Sequence, residues 1–137
     1  MRSIAAIVLL LLVLACKTND VTTVPNELIG KWRMTSRQIN QNGTVEWEDV
    51  AEKDSIYMFF SRYGEYVDSE GYVLPCGPTS LNINSNFYKI NFRSELSNSF
   101  YLSLCAECPT WDLELKQTNL VVDRCSSDLK MIYVKAD

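Results

Sequence analysis

Cysteine placement sets the first chemical question. The chain has five Cys and no His. A Ser-His-Asp or Cys-His nucleophile is therefore excluded, and so is zinc held by imidazole. Cys105-Ala-Glu-Cys108 has the spacing of a redox pair, but no strand-to-helix junction adjoins it to lower a thiol pKa. A four-thiolate zinc site wants two such pairs, whereas Cys76 and Cys125 stand alone. Four Cys beyond residue 16, an even number in an exported chain, read instead as two disulfides. Element order favours Cys76 with Cys105 and Cys108 with Cys125. The rival is Cys105 with Cys108 and Cys76 with Cys125.

Carboxylates form the second cluster. Glu46, Glu48, Asp49, Glu52 and Asp54 fall within nine residues. A calcium loop would alternate oxygen ligands around a Gly turn, and that pattern is missing. A carboxylate pair for acid–base work needs a fixed separation, which a loop does not supply. The segment reads as a solvated, charged lid able to attract a cationic ligand or a basic partner, and Trp47 within it is placed to fold over an opening. No catalytic set, metal site or cofactor is expected. Net charge −4, 22% charged and 47% hydrophobic residues describe a globular chain and argue against a nucleic-acid binder, which wants a basic face.

The first residues read as an address. Met1-Arg2-Ser3 is followed by twelve unbroken apolar residues, Ile4 to Ala15. Crossing a bilayer takes about 20 such residues, so twelve suit the apolar region of a secretory signal. Val13-Leu14-Ala15-Cys16 resembles the lipobox of bacterial lipoproteins, and the resemblance implies acylation of Cys16 as the new N-terminus. The expected organisation is a signal peptide over 1–15, a lipidated Cys and polar tether over 16–26, and one domain over 27–137.

That domain reads as strands joined by turns. In Gly30-Ile39 the charges fall at Lys31, Arg33 and Arg37. Trp32, Met34, Ser36 and Gln38 take the other face. Trp111, Leu113 and Leu115 alternate with Asp112, Glu114 and Lys116 in the same way. Period-2 alternation of this kind marks half-buried antiparallel strands. Strands are predicted over 30–40, 54–61, 64–74, 80–93, 98–105, 111–117, 119–125 and 129–136. Gly64 supplies one hairpin turn and Gln117-Thr118-Asn119 another. Pro25-Ile29 is the only short helical turn expected. Eight sequential antiparallel strands suggest an up-and-down barrel, which removes sheet edges; a two-sheet sandwich is the alternative. A ninth strand over Thr44-Asp49 would weaken the parity of that meander. Asn42-Gly43-Thr44 matches a glycosylation sequon and is taken as chance in a bacterial product.

Parity in an eight-strand meander puts the start of the first strand, Gly30-Lys31-Trp32, at the end with the short turns. The four later Cys and Arg124 go to the end with the long loops.

A polar tether followed by Glu-Leu-Ile-Gly-Lys-Trp at the head of eight strands resembles the Gly-x-Trp start of lipocalins. The domain as a whole is similar to the compact lipocalin-like lipoproteins of bacteria. Trp111-Asp-Leu-Glu-Leu-Lys-Gln-Thr-Asn-Leu-Val-Val is similar to the late hairpin of that group. The resemblance implies a small barrel closed at Gly30 and Trp32 and open at the other end. Along the first strand, Trp32, Met34, Ser36 and Gln38 would then grade from apolar to polar toward the mouth, as suits an amphipathic ligand. Trp47, Met58, Phe60, Tyr88 and Tyr101 complete the expected lining. An eight-stranded barrel is just wide enough to be filled by side chains or to hold one small ligand.

The expected role is thus a non-enzymatic lipoprotein on the bacterial outer membrane, binding a small hydrophobic or amphipathic molecule. The alternative is an envelope interaction module with a filled interior.

Overall fold

A computed structural model describes residues 24–92, 108–125 and 129–137. Cys16, Tyr101 and Cys105, with the signal peptide and most of the tether, lie outside the described residues. The fold is all-β, a strongly curled half-barrel sheet. Its strands are β1 (Gly30–Gln41), β2 (Thr44–Asp49), β3 (Tyr57–Phe60), β4 (Tyr66–Val67), β5 (Ser80–Ile83), β6 (Asn86–Lys89), β7 (Thr110–Lys116), β8 (Asn119–Arg124) and β9 (Lys130–Ala136). Neighbours run in the order β4-β3-β1-β9-β8-β7-β5-β6, and β2 pairs with β1 alone. Among the described residues no pairing joins β4 to β6.

Two local features add strands to those predicted, while the strand predicted over 98–105 lies outside the described residues. Asn42 and Gly43 both take positive φ, 54° and 87°, and fold Gln41 onto Thr44. Asn-Gly is the strongest two-residue hairpin signal, since both positions of that turn require φ > 0. The first part of the acidic segment, with Glu46, Glu48 and Asp49, is therefore a strand, β2, and not the expected loop, while Glu52–Asp54 forms a short 3-10 turn. Asn84 and Ser85 likewise have φ of 49° and 68°, dividing the strand predicted over 80–93 into a β5–β6 hairpin. The Asn84 amide then imitates a strand. It donates to Leu115 O at 2.9 Å and accepts from Leu115 N at 2.9 Å.

The hairpin also changes the topology. β5 turns back on itself, so β7 reaches it from the same end, with Ser80 opposite Thr110 and Ile83 opposite Leu113 in a parallel pair. The other pairs are antiparallel. A purely antiparallel up-and-down order is corrected to this mixed one.

The core lies on the concave face. Trp32, Met34, Met58, Phe60, Leu81, Ile83, Trp111, Leu113, Leu120, Val122 and Tyr133 are all 5% exposed or less. Register explains the set, because Met34 stands opposite Tyr133 and Tyr133 opposite Leu120. Directly opposed residues share a face. Gly64 serves a close approach, for a Cβ there would lie 2.7 Å from Val24 Cγ1 at a φ of 80°.

Candidate functional site

β1 carries most of the expected lining, and one irregularity decides where it points. The register between β1 and β9 shifts between Met34 and Ser36. This β-bulge leaves Thr35 as the extra residue, its hydroxyl donating to Ile132 O at 3.3 Å. One extra residue exchanges the faces of everything beyond it. Trp32 and Met34 stay in the core. Ser36 then pairs with Ile132, on the face away from Tyr133, and Arg37 pairs with Met131 on the core side. The unbroken even-numbered gradient expected from Trp32 to Gln38 is corrected accordingly. Ser36 Oγ donates to Asp49 Oδ1 at 3.0 Å, and Gln38 Oε1 accepts from Lys130 N at 2.8 Å.

The remaining candidates divide in the same manner. Met58 and Phe60 are 1% and 2% exposed, packed in the core beside Trp32 and Tyr133. Tyr88 is half-buried on β6, opposite Leu81. Trp47 is 48% exposed on β2 opposite Gln38, on a hairpin and not on a loop folded over an opening. Met34, Met58 and Phe60 therefore come together, whereas Ser36, Gln38 and Trp47 gather on a separate surface.

Gly30 and Trp32 stand at the end predicted for them. Trp32 Nε1 donates to Leu28 O at 2.7 Å, which ties the ring to the turn at Pro25–Ile29. A residue that sequence reasoning missed completes this end. Lys135 Nζ lies 4.5 Å from the Trp32 ring centroid, donates to Glu27 O at 2.9 Å and also donates to Ile29 O. Burial lowers the Lys135 pKa from its usual value, and the nearby Glu27 charge pulls it partly back. The available signal was the alternation of β9, which puts Lys135 on the same face as Tyr133 and opposite Trp32.

The other end carries the sulfur. Cys108 and Cys125 are bonded, with Cα atoms 5.5 Å apart, so a Cys105–Cys108 bridge is excluded. Cys76 is also in a disulfide, its partner lying outside the described residues. Arg124 belongs to this end, as parity expects. Its guanidinium is 4.2 Å from the Trp111 ring centroid, and the Trp111 and Tyr66 rings are 5.4 Å apart. Between the two ends sits the Tyr133 phenol, whose pKa burial pushes up from 10.0 to about 12. Arg124 opposes that shift and Tyr66 adds to it.

Surface grooves also cross the described residues. One, of about 370 Å³, crosses β5, β7 and β8 and is lined by Asn82, Asn84, Asp112, Glu114 and Asp123. Asp112 stands opposite Asp123, eased by an amide bond from Asn82 at 2.6 Å and by Lys130 opposite Asp123. Another, about 250 Å³, lies at the base of the β1–β2 hairpin between Arg37, Glu48, Asp54 and Ile56. Arg37 Nε donates to Glu48 Oε2 at 2.7 Å there. Both side chains are nearly half exposed, so the pair contributes about 0–1 kcal/mol. Among the described residues no group of three or more Cys, Asp or Glu is disposed to hold a metal ion.

A scan of the sequence against family models, and searches among curated proteins and solved structures, find no match.

Proposed function

We propose that this chain is an exported bacterial lipoprotein of the compact lipocalin-like kind, acylated on Cys16, held at the outer membrane, and devoted to recognising another protein. The signal-like residues 1–15 and the Val-Leu-Ala-Cys run support the anchor. The Gly-Lys-Trp opening and the pairing of the first strand with the last support the lipocalin likeness. The proposed role is recognition; the lack of His removes Ser-His-Asp and Cys-His chemistry.

One observation carries the choice of a protein over a small ligand. The side chains expected to line a cavity pack against one another, Met34, Met58 and Phe60 being buried beside Trp32 and Tyr133. A ligand pocket needs several hundred Å³ with apolar walls, and this part of the interior is occupied by the protein's own side chains. Large apolar residues are meanwhile exposed on the hairpin, Val45 at 49% and Trp47 at 48%. Val45 and Trp47 share one face of β2, and neighbouring exposed apolar side chains can form an interaction surface, though Tyr72 and Phe87 are exposed elsewhere.

Native mass spectrometry of the full chain, extracted gently from bacterial membranes, tests this reading. The expected spectrum shows the acylated chain without a further small molecule. A stoichiometric lipid or amphiphile, retained in the wild type and lost in Met58→Trp, would favour the small-ligand carrier. In parallel, Cys16→Ala should leave the membrane fraction, and continued partitioning there would refute the anchor.

A further inference from the structure

We propose that the free edge of β2 docks an extended peptide segment in which basic and apolar residues alternate; this rests on the protein-recognition reading above. β2 pairs with β1 along one side only. The register runs Gln41 with Thr44, Asn40 with Val45, Ile39 with Glu46, Gln38 with Trp47, Arg37 with Glu48 and Ser36 with Asp49. In a two-residue hairpin the flanking pair, Gln41 and Thr44, exchanges hydrogen bonds, and every second pair beyond it does the same. The bond from Val50 N to Thr35 O at 2.8 Å continues that series. The backbone N–H and C=O of Val45, Trp47 and Asp49 therefore point away from β1. No strand among the described residues meets them. Such an edge is a template for strand addition.

Side chains say what kind of strand fits. Glu46 and Glu48 lie on one face of β2, as the Arg37–Glu48 contact fixes. Val45 and Trp47 lie on the opposite face, both about half exposed. From Ser36 to Asp54 there are five carboxylates against Arg37 and Lys53. A docking strand places its residues beside these two rows alternately. Cations belong beside Glu46 and Glu48, and apolar side chains beside Val45 and Trp47.

A second copy is a poor occupant by the same geometry. Antiparallel pairing of two β2 strands about Trp47 sets Glu46 against Glu48, and pairing about Glu46 sets that residue against its own copy. Like charges directly opposed destabilise a sheet. The edge is thus guarded against itself and open to a basic partner.

The test uses the full chain in nonionic detergent and a labelled eight-residue peptide of alternating Lys and Val, followed by fluorescence anisotropy. Binding is expected, and a Glu-Val peptide of equal length should not bind. Methylating alternate peptide nitrogens on the docking edge should weaken binding at least about tenfold, because several backbone bonds are lost together. Methylating the opposite edge should leave it unchanged. In the protein, Trp47→Pro removes one outward N–H and no β1–β2 bond, so it should bind more weakly than Trp47→Ala. Equal binding by both methylated peptides would reduce the effect to ionic attraction and overturn strand addition. Absence of binding overturns the proposal too, as does self-association that Trp47→Pro abolishes, which would make a second copy the occupant. The reading of the chain as a protein-recognition domain falls separately, on a retained small molecule in the native mass spectrum.

Discussion

Tyr133 offers a direct measure of how dry and filled the interior is. Its side chain is 1% exposed, between Met34 on β1 and Leu120 on β8, and its hydroxyl reaches Met131 Sδ at 3.6 Å. Burial disfavours the phenolate, so the folded pKa rises to about 12 against 10.0 for the exposed group. The folded-state value is the higher one, so the stabilisation it represents is fully present below pH 10 and disappears as pH climbs through 12. At pH 11 an unfolded tyrosine is largely ionised and the folded one largely neutral. Unfolding then gains about 1.4 kcal/mol from this one residue, by the worth of one pKa unit. Tyr133→Phe removes that term and, at neutral pH, only a weak bond to a thioether. Urea unfolding at pH 8 and pH 11 should show the wild type losing about 1.4 kcal/mol more than Tyr133→Phe, the other tyrosines cancelling in the difference. Equal losses would mean that water reaches the phenol. The argument for a filled core would then fail, and a hydrated cavity would return as the better account.

Three further perturbations probe the ends of the sheet. Lys135→Met strands the carbonyls of Glu27 and Ile29 and uncovers the Trp32 ring; a loss of about 1–2 kcal/mol in urea is expected, with Lys135→Arg recovering most of it. Asn84→Ala deletes both bonds to the Leu115 backbone and leaves a Cβ residue at φ 49°. It should cost about 2–3 kcal/mol, and Asn84→Gly less, because only the amide bonds are then missing. Replacing Cys108 and Cys125 together with Ser frees a loop spanned by 17 positions and should lower stability by about 3 kcal/mol in the chain-entropy account. The same double variant should bind the Lys-Val peptide unchanged, since β2 lies on the other side of β1.

How far the sequence could be read depended on the range of the signal. Alternation in 111–117 is local, and the strand appears within one residue of that span, at Thr110–Lys116; the strand read over 129–136 appears as Lys130–Ala136. The ends were legible too. Gly30 and Trp32 lie at the opposite end from Cys108, Cys125 and Arg124, because strand direction alone decides that. Two hairpins fell outside the eight predicted strands, for different reasons. Asn42-Gly43 is a strong turn signal, but the strand it starts, Thr44–Asp49, entered only as an alternative to an acidic loop. Asn84-Ser85 is weak in itself, and its turn is secured by Leu115, distant in sequence. The bulge at Thr35 left no mark in the pattern, because polar residues follow it on both faces and a change of face does not alter the alternation. Lys135 was visible as an inward position, but its use depends on two carbonyls that only the folded N-terminal turn brings within reach.

The bulge connects the core to the surface. Without it Gln38 would lie on the same face as Trp32 and Met34, and the polar half of β1 would extend the core. With it, Arg37 takes the inward side at the base of the hairpin, where Glu48 meets it. Ser36 and Gln38 bond outward to Asp49 and Lys130. β1 thus serves two structures in succession, a core strand as far as Met34 and one arm of a projecting hairpin from Ser36 onward. β9 stays paired with β1 only as far as Arg37. Beyond Arg37, among the described residues, the β1 backbone pairs with β2 alone while the Gln38 side chain still reaches Lys130, which sets the hairpin tip apart from the rigid sheet. That separation suits strand addition, because an incoming peptide can lengthen the sheet at β2 without disturbing the packing around Tyr133.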